Sequence, residues 1–131
     1  MKKILFVCRE NTGRSQVAEA FFNILNKNPD YKAFSAGLEK GELLNPTAVK
    51  VMKEIGVDLT TQTPKKLTYE MIREAALIVT MGCIESCPSA PPEKTVEWKI
   101  KDFKEAVNLE EARKIRDEVR ERVEELINRL D

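Results

Sequence analysis

Ile4-Leu5-Phe6-Val7-Cys8-Arg9-Glu10-Asn11-Thr12-Gly13-Arg14-Ser15 passes from four apolar residues into a polar loop that ends on an arginine and a serine. The apolar run, closed by Cys8, suits a buried parallel strand. Beyond the loop, Val17, Phe21, Ile24 and Leu25 recur at helical spacing, which predicts an amphipathic helix over residues 15–27.

Outward from this stretch, strands and helices keep alternating. Asn28-Pro29-Asp30 breaks the first helix, and residues 31–36 read as a second strand ending at Gly37. Asn45-Pro46 reads as an N-cap followed by Pro at the first helical position. Ala48, Val49, Met52 and Ile55 then form an apolar face, with Gly56 as the stop. Thr68 caps a short helix to about residue 73, residues 76–81 form the most strand-like run, and residues 95–99 a last strand. Asn108 with Glu111 gives a capping-box pattern ahead of Ala112, Ile115, Val119, Val123, Leu126 and Leu130, and the charges between them read as a solvated face. Alternation of this kind indicates an α/β domain with a mainly parallel sheet, and ligands of such sheets sit beyond the carboxyl ends of the strands. Cys8 and Cys83 each follow a strand, so both thiols are expected at that edge.

With 131 residues the chain is read as one domain, 1–131. Lys plus Arg and Asp plus Glu are 22 each, so no bulk charge favours nucleic acid or a membrane surface. The apolar run after Met-Lys-Lys is too short for a signal peptide, and no stretch reaches the roughly 20 apolar residues of a membrane span. A cytoplasmic protein with reduced thiols is therefore expected, as a monomer. The chain has no histidine, which excludes Ser-His and Cys-His dyads and histidine metal sites. Neither a metal nor a cofactor is expected. Three cysteines, an odd number, suit catalytic or redox use better than a static disulfide framework.

The loop from Cys8 to Ser15 has the parts of an oxyanion site. Backbone N–H groups wrapped ahead of a helix N-terminus make an anion cradle, and Arg14 can grip two oxygens of a tetrahedral anion. Gly13 is expected to supply a tight, positive-φ bend. The oxyanion-binding set is accordingly Arg9, Glu10, Asn11, Thr12, Gly13, Arg14 and Ser15. The same donors favour a thiolate at Cys8, the expected nucleophile. Ser15 is placed to bond Cys8, and Asn11 to brace the loop.

These residues carry a family resemblance. The Cys8–Ser15 loop, Ser35-Ala36-Gly37, the Pro46 helix and the Gly56-Val57-Asp58 turn resemble low-molecular-weight protein tyrosine phosphatases. They are still more similar to the thioredoxin-coupled arsenate reductases built on that fold. The resemblance implies a three-layer sandwich around a central four-stranded parallel sheet. It implies arsenate as substrate and thioredoxin or a similar dithiol as reductant.

Cys83 and Cys87 separate the two activities. A phosphatase needs one loop thiol and an acid, and leaves this pair unused. Four positions apart, the two would fall one turn apart if their segment were a short helix; by themselves they fit a redox pair, an inert buried pair or half a zinc site. The resemblance implies the redox pair. Cys8 attacks arsenate, Cys83 attacks the Cys8 sulfur as arsenite leaves, and Cys87 then displaces Cys8 to give a Cys83–Cys87 disulfide.

Loss of oxygen from arsenate needs a proton donor, and without histidine a carboxyl is the natural choice. The family places an aspartate shortly after a tryptophan, which here implies Asp102 after Trp98, with Glu97 as second choice. Family members usually carry Pro after that Asp, where this chain has Phe103. Asn11, Glu19 and Ser35 match a potassium site found in some members, but Lys65 occupies its acidic position. An ammonium there can take the role of the cation, which argues against potassium dependence. Two other readings are a phosphatase forming a phosphocysteine at Cys8, and a non-enzymatic redox-sensing or anion-binding module.

Overall fold

A computed structural model describes residues 1–39, 41–82 and 91–130. Its centre is a four-stranded sheet of β1 (Lys2–Cys8), β2 (Tyr31–Gly37), β3 (Ala75–Thr80) and β4 (Thr95–Glu97), ordered β2-β1-β3-β4 and parallel throughout. Four helices accompany it among the described residues: α1 (Arg14–Leu25), α2 (Pro46–Lys53), α3 (Tyr69–Glu74) and α4 (Leu109–Arg129). This is the α/β sandwich expected from the sequence. Residues 76–81 had read as the third strand, and the observed strand lies one residue earlier.

The period of two along β1 assigns its residues to two cores. Ile4, Phe6 and Cys8 face the larger one, with Val17, Phe22, Met52, Trp98 and Val119. Leu5 and Val7 face the smaller one, with Ala36, Ala75 and Ile78 under Met71 and Ile72 of α3. Helices α1, α2 and α4 therefore cover one face and α3 the other, which makes three layers. Because β1 is central, its carboxyl end at Cys8 lies between Gly37 of β2 and the end of β3.

Helix ends follow local chemistry. Asn45 Oδ1 accepts from the N–H groups of Thr47 (2.9 Å) and Ala48 (3.0 Å), with Pro46 opening α2. Thr68 caps α3 through the Met71 N–H. The far end of α3 is held by Lys94, whose ammonium donates to the carbonyls of Ile72 (2.8 Å), Arg73 (3.3 Å) and Ala75 (2.8 Å). Asn108 caps α4 through Glu111 N–H (2.9 Å), while the Glu111 carboxylate reaches back to Val107 N–H rather than to the cap. Helix α1 stops at Leu25, two residues short of expectation, since Asn26 bonds the carbonyls of Asn28 and Tyr31 and leads the chain into β2.

Two apolar expectations change. Ile24 is 59% exposed and Ile55 39%, because α1 turns Val17, Phe21 and Phe22 inward and α2 ends before residue 55, leaving Val51 as the third buried position. The charged face of α4 also has an exception. Arg116 is 9% exposed, donates to the Val51 carbonyl (2.8 Å) and Glu54 (3.3 Å), and so ties α4 to the end of α2.

Glu54 completes that tie through Arg113 at 2.9 and 2.7 Å. The Arg113 hydrogen bonds hold the Glu54 carboxyl below its ordinary value of 4.5, helped by the charges of Arg113 and Arg116 and opposed by partial desolvation. A depressed carboxyl contributes stability that is present above the ordinary value and lost as pH falls through the folded one. Glu54→Gln is expected to lower Tm at neutral pH, with the gap to wild type closing as pH falls below 4.5; melts across the acid range check this.

Candidate oxyanion site

The loop between β1 and α1 turns its carbonyls outward. Leu38, Glu39, Gly41 and Asn45 donate their backbone N–H groups to the carbonyls of Cys8 (3.2 Å), Arg9 (2.8 Å), Glu10 (3.0 Å) and Thr12 (2.8 Å). The carbonyl of Asn11 accepts from Gln16 Nε2 (3.1 Å), and that of Gly13 from the Val17 N–H (2.9 Å). In a trans peptide the N–H points opposite to the C=O of the same unit. Six consecutive carbonyls bonded outside the ring therefore turn the N–H groups of residues 9–14 toward its inside. One is seen aimed at its target: Asn11 N–H lies 3.3 Å from Cys8 Sγ.

A second line of donors reaches the same sulfur. Lys65 N–H and Gln16 Nε2 donate to Asn11 Oδ1 (2.8 and 2.9 Å), and Asn11 Nδ2 donates to Ser15 Oγ (2.7 Å). With its oxygen accepting from Asn11, Ser15 has its one hydroxyl proton to give to Cys8 Sγ, 2.9 Å away. Asn11 and Ser15 thus sit where the sequence put them. The positive-φ bend does not. It falls on Asn11 (φ 60°), while Gly13 has φ −140°. Asn tolerates that region because its amide is bonded locally, and at Gly13 a Cβ would lie 3.1 Å from the Phe103 ring.

Gln16 is a site residue that the sequence reading missed. Fully buried, it bonds the Asn11 carbonyl, Asn11 Oδ1 and the Thr63 carbonyl, and accepts from Gln62. Its position next to the loop was visible, but its partners at 62 and 63 come from across the fold.

Arg14 is 7% exposed and held by two acceptors: the Ile100 carbonyl on Nη1 (3.0 Å) and Asp102 Oδ2 on Nη2 (3.3 Å). Asp102 also caps the turn after it, accepting from Lys104 N–H (3.0 Å). Cys8, Arg14 and Asp102 therefore share one cavity of about 260 Å³, lined also by Arg9, Glu10, Thr12 and Gly13. Glu97, the second acid considered, lies in β4 opposite Thr80 and is not part of that lining. Lys104 is part of it, though the sequence did not single it out; its ammonium bonds both Glu10 oxygens (2.5 and 2.7 Å). The Glu10 hydrogen bond raises the Lys104 ammonium above its ordinary value, with Glu10, Asp102 and Cys8 adding charge and desolvation opposing.

Cys83 and Cys87 lie outside the described residues. Gly82, the described residue just before Cys83, follows β3 with φ +76°, and a Cβ on it would lie 2.7 Å from Arg14 Nη1. Of the residues matched by resemblance to a potassium site, Ser35 donates to Glu19 at 2.5 Å, whereas the Lys65 ammonium donates to the Thr63 carbonyl (3.0 Å). Among the described residues no group of three potential metal ligands occurs, and no helix is long and apolar enough to cross a membrane.

The family description "Low molecular weight phosphotyrosine protein phosphatase" matches residues 3–131. The chain belongs to this family. It is 36% identical to a Bacillus subtilis protein named arsenate reductase, over 95% of this chain and 94% of that one. It is 33% identical to a Synechocystis protein named glutaredoxin arsenate reductase, over 99% of each. A solved structure described as an arsenate reductase in the phosphate binding state superposes with a TM-score of 0.85 at 33% identity, covering all of both chains.

Close approach of strand β2 to the loop between β1 and α1 gives a direct test of the cradle. A Cβ on Gly37 would lie 2.6 Å from Glu10 C, 2.7 Å from Asn11 N and 2.8 Å from Glu39 O, all backbone atoms. None of them can swing aside as a side chain would. Gly37→Ala is expected to destabilise by about 1–3 kcal/mol and to weaken phosphate binding as the loop moves, measured by urea unfolding and calorimetric titration.

Proposed function

We propose that this protein reduces arsenate to arsenite through Cys8, Cys83 and Cys87, with a dithiol protein such as thioredoxin as the electron source. The observation that carries the reading is the convergence of Asn11 N–H and Ser15 Oγ on Cys8 Sγ, in a cavity that Arg14 also lines. Such a cavity suits a tetrahedral oxyanion at the nucleophile and holds donors where its charge develops.

The steps balance as follows. Cys8 thiolate attacks arsenic, a sulfur–arsenic bond forms, and one arsenate oxygen leaves as water with a proton from Asp102. Cys83 thiolate attacks Cys8 sulfur; the sulfur–arsenic bond breaks with its electron pair staying on arsenic, which becomes As(III) and leaves as arsenite. The Cys8–Cys83 disulfide passes to Cys83–Cys87 when the Cys87 thiolate attacks Cys83 and frees Cys8. An external dithiol then returns two electrons and two protons. Asp102 reaches the cavity from the Arg14 side, which fits the role of proton donor, and Glu97 does not line it.

A phosphatase reading is the second possibility, since the family takes phosphate monoesters and the same cavity suits phosphate. In it Cys8 forms a phosphocysteine and Asp102 protonates the leaving group. A coupled assay with arsenate, thioredoxin, its reductase and NADPH separates the two, with p-nitrophenyl phosphate run in parallel and glutaredoxin with glutathione as the alternative reductant. Arsenate-dependent NADPH loss is expected. Ester hydrolysis with no NADPH loss under either reductant would move the chain to the phosphatases.

A further inference from the structure

Glu10 places a carboxylate in the lining of the cavity read as an anion site, as does Asp102, which Arg14 holds. A like charge facing a bound arsenate or phosphate opposes it unless a cation compensates. The compensating cation comes from 94 positions away: Lys104 Nζ contacts Glu10 Oε1 at 2.5 Å and Oε2 at 2.7 Å. Lys104 belongs to the turn that Asp102 caps, its backbone N–H donating to Asp102 Oδ1 while Asp102 Oδ2 accepts from Arg14. That turn is thus fastened to the loop twice, by Arg14–Asp102 on one side and Glu10–Lys104 on the other.

We infer that Lys104 is a positioning and specificity residue of the oxyanion site: its ammonium neutralises the loop carboxylate Glu10, and so sets the affinity for free oxyanions. The inference rests on the oxyanion reading of the Cys8 cavity, and it adds a residue on which that affinity depends. Lys104 also feels the charges of Asp102 and Cys8, which puts it within electrostatic reach of the reacting groups. Both side chains are partly open to solvent, so their removal leaves the core intact.

The test is calorimetric titration of inorganic phosphate into reduced wild type, Lys104→Gln, Glu10→Gln, the double variant and Lys104→Arg, with thermal melts confirming the fold. Lys104→Gln is expected to weaken phosphate binding about tenfold, because Glu10 is then uncompensated. Glu10→Gln should bind at least as tightly as wild type, the double variant should recover to the Glu10→Gln level, and Lys104→Arg should stay near wild type. A Lys104→Gln affinity equal to wild type overturns the inference. So does a double variant as weak as Lys104→Gln, which would mean that Lys104 grips the anion itself. Wild type that fails to bind phosphate overturns the oxyanion reading together with this one, whereas wild-type binding with insensitive variants overturns this one alone.

Discussion

Cys87→Ser is expected to release one arsenite per enzyme and then stop. With Cys87 absent, the proposed relay proceeds until Cys83 has taken Cys8 into a disulfide, and no third thiol remains to free the nucleophile. Steady-state NADPH consumption should fall to the background of the coupled assay, while a rapid-quench experiment still shows the first turnover. Tryptic mass mapping of the stalled protein should find the Cys8 and Cys83 peptides joined. Cys83→Ser differs: the electron pair has no route to arsenic, so arsenite should not appear even in a single turnover. Sustained arsenate reduction by Cys87→Ser with thioredoxin would reduce the relay to two thiols.

Arg14→Lys is expected to lower kcat/KM for arsenate about 10³-fold, in the range seen when a preorganised donor to developing charge is lost. The guanidinium is planar and forked; here the Ile100 carbonyl and Asp102 hold it while it lines the Cys8 cavity. A lysine keeps the charge but has one point of attachment, so it cannot satisfy both acceptors and also grip two oxygens of the anion. Asp102 would lose its partner in the same substitution, and the effect should appear in kcat as well as KM. Circular dichroism should show the fold retained. A rise in KM with kcat unchanged would restrict Arg14 to collecting the anion.

Much of this architecture was legible because its signals are local. Ile4 to Val7 before Cys8, the Asn45-Pro46 cap and the Asn108 cap each depend on residues within four positions, and each lies where the sequence places it, though the Glu111 carboxylate turns to Val107 instead of closing the capping box. Ends were less secure. Helix α1 stops at Leu25 because Asn26 finds carbonyls at 28 and 31, and β4 is only three residues long. Ile24 and Ile55 carried helical periodicity yet are exposed, since a face is buried only where another element covers it.

The candidate site divides in the same way. The sequence by itself determined the strand–loop–helix unit, the cysteine at its head, the arginine six positions on and the bracing by Asn11 and Ser15, because these parts are contiguous. Only the tertiary structure decided that the loop carbonyls are bonded by residues 38–45, that Gln16 locks Asn11 against Thr63, and that Asp102 and Lys104 close on Arg14 and Glu10. It also moved the positive-φ position from Gly13 to Asn11. The reason is the sheet order. A central β1 with β2 and β3 as parallel neighbours brings segments 38–45, 62–65 and 100–104 around one strand end, and such long-range pairings leave no periodic trace in the chain.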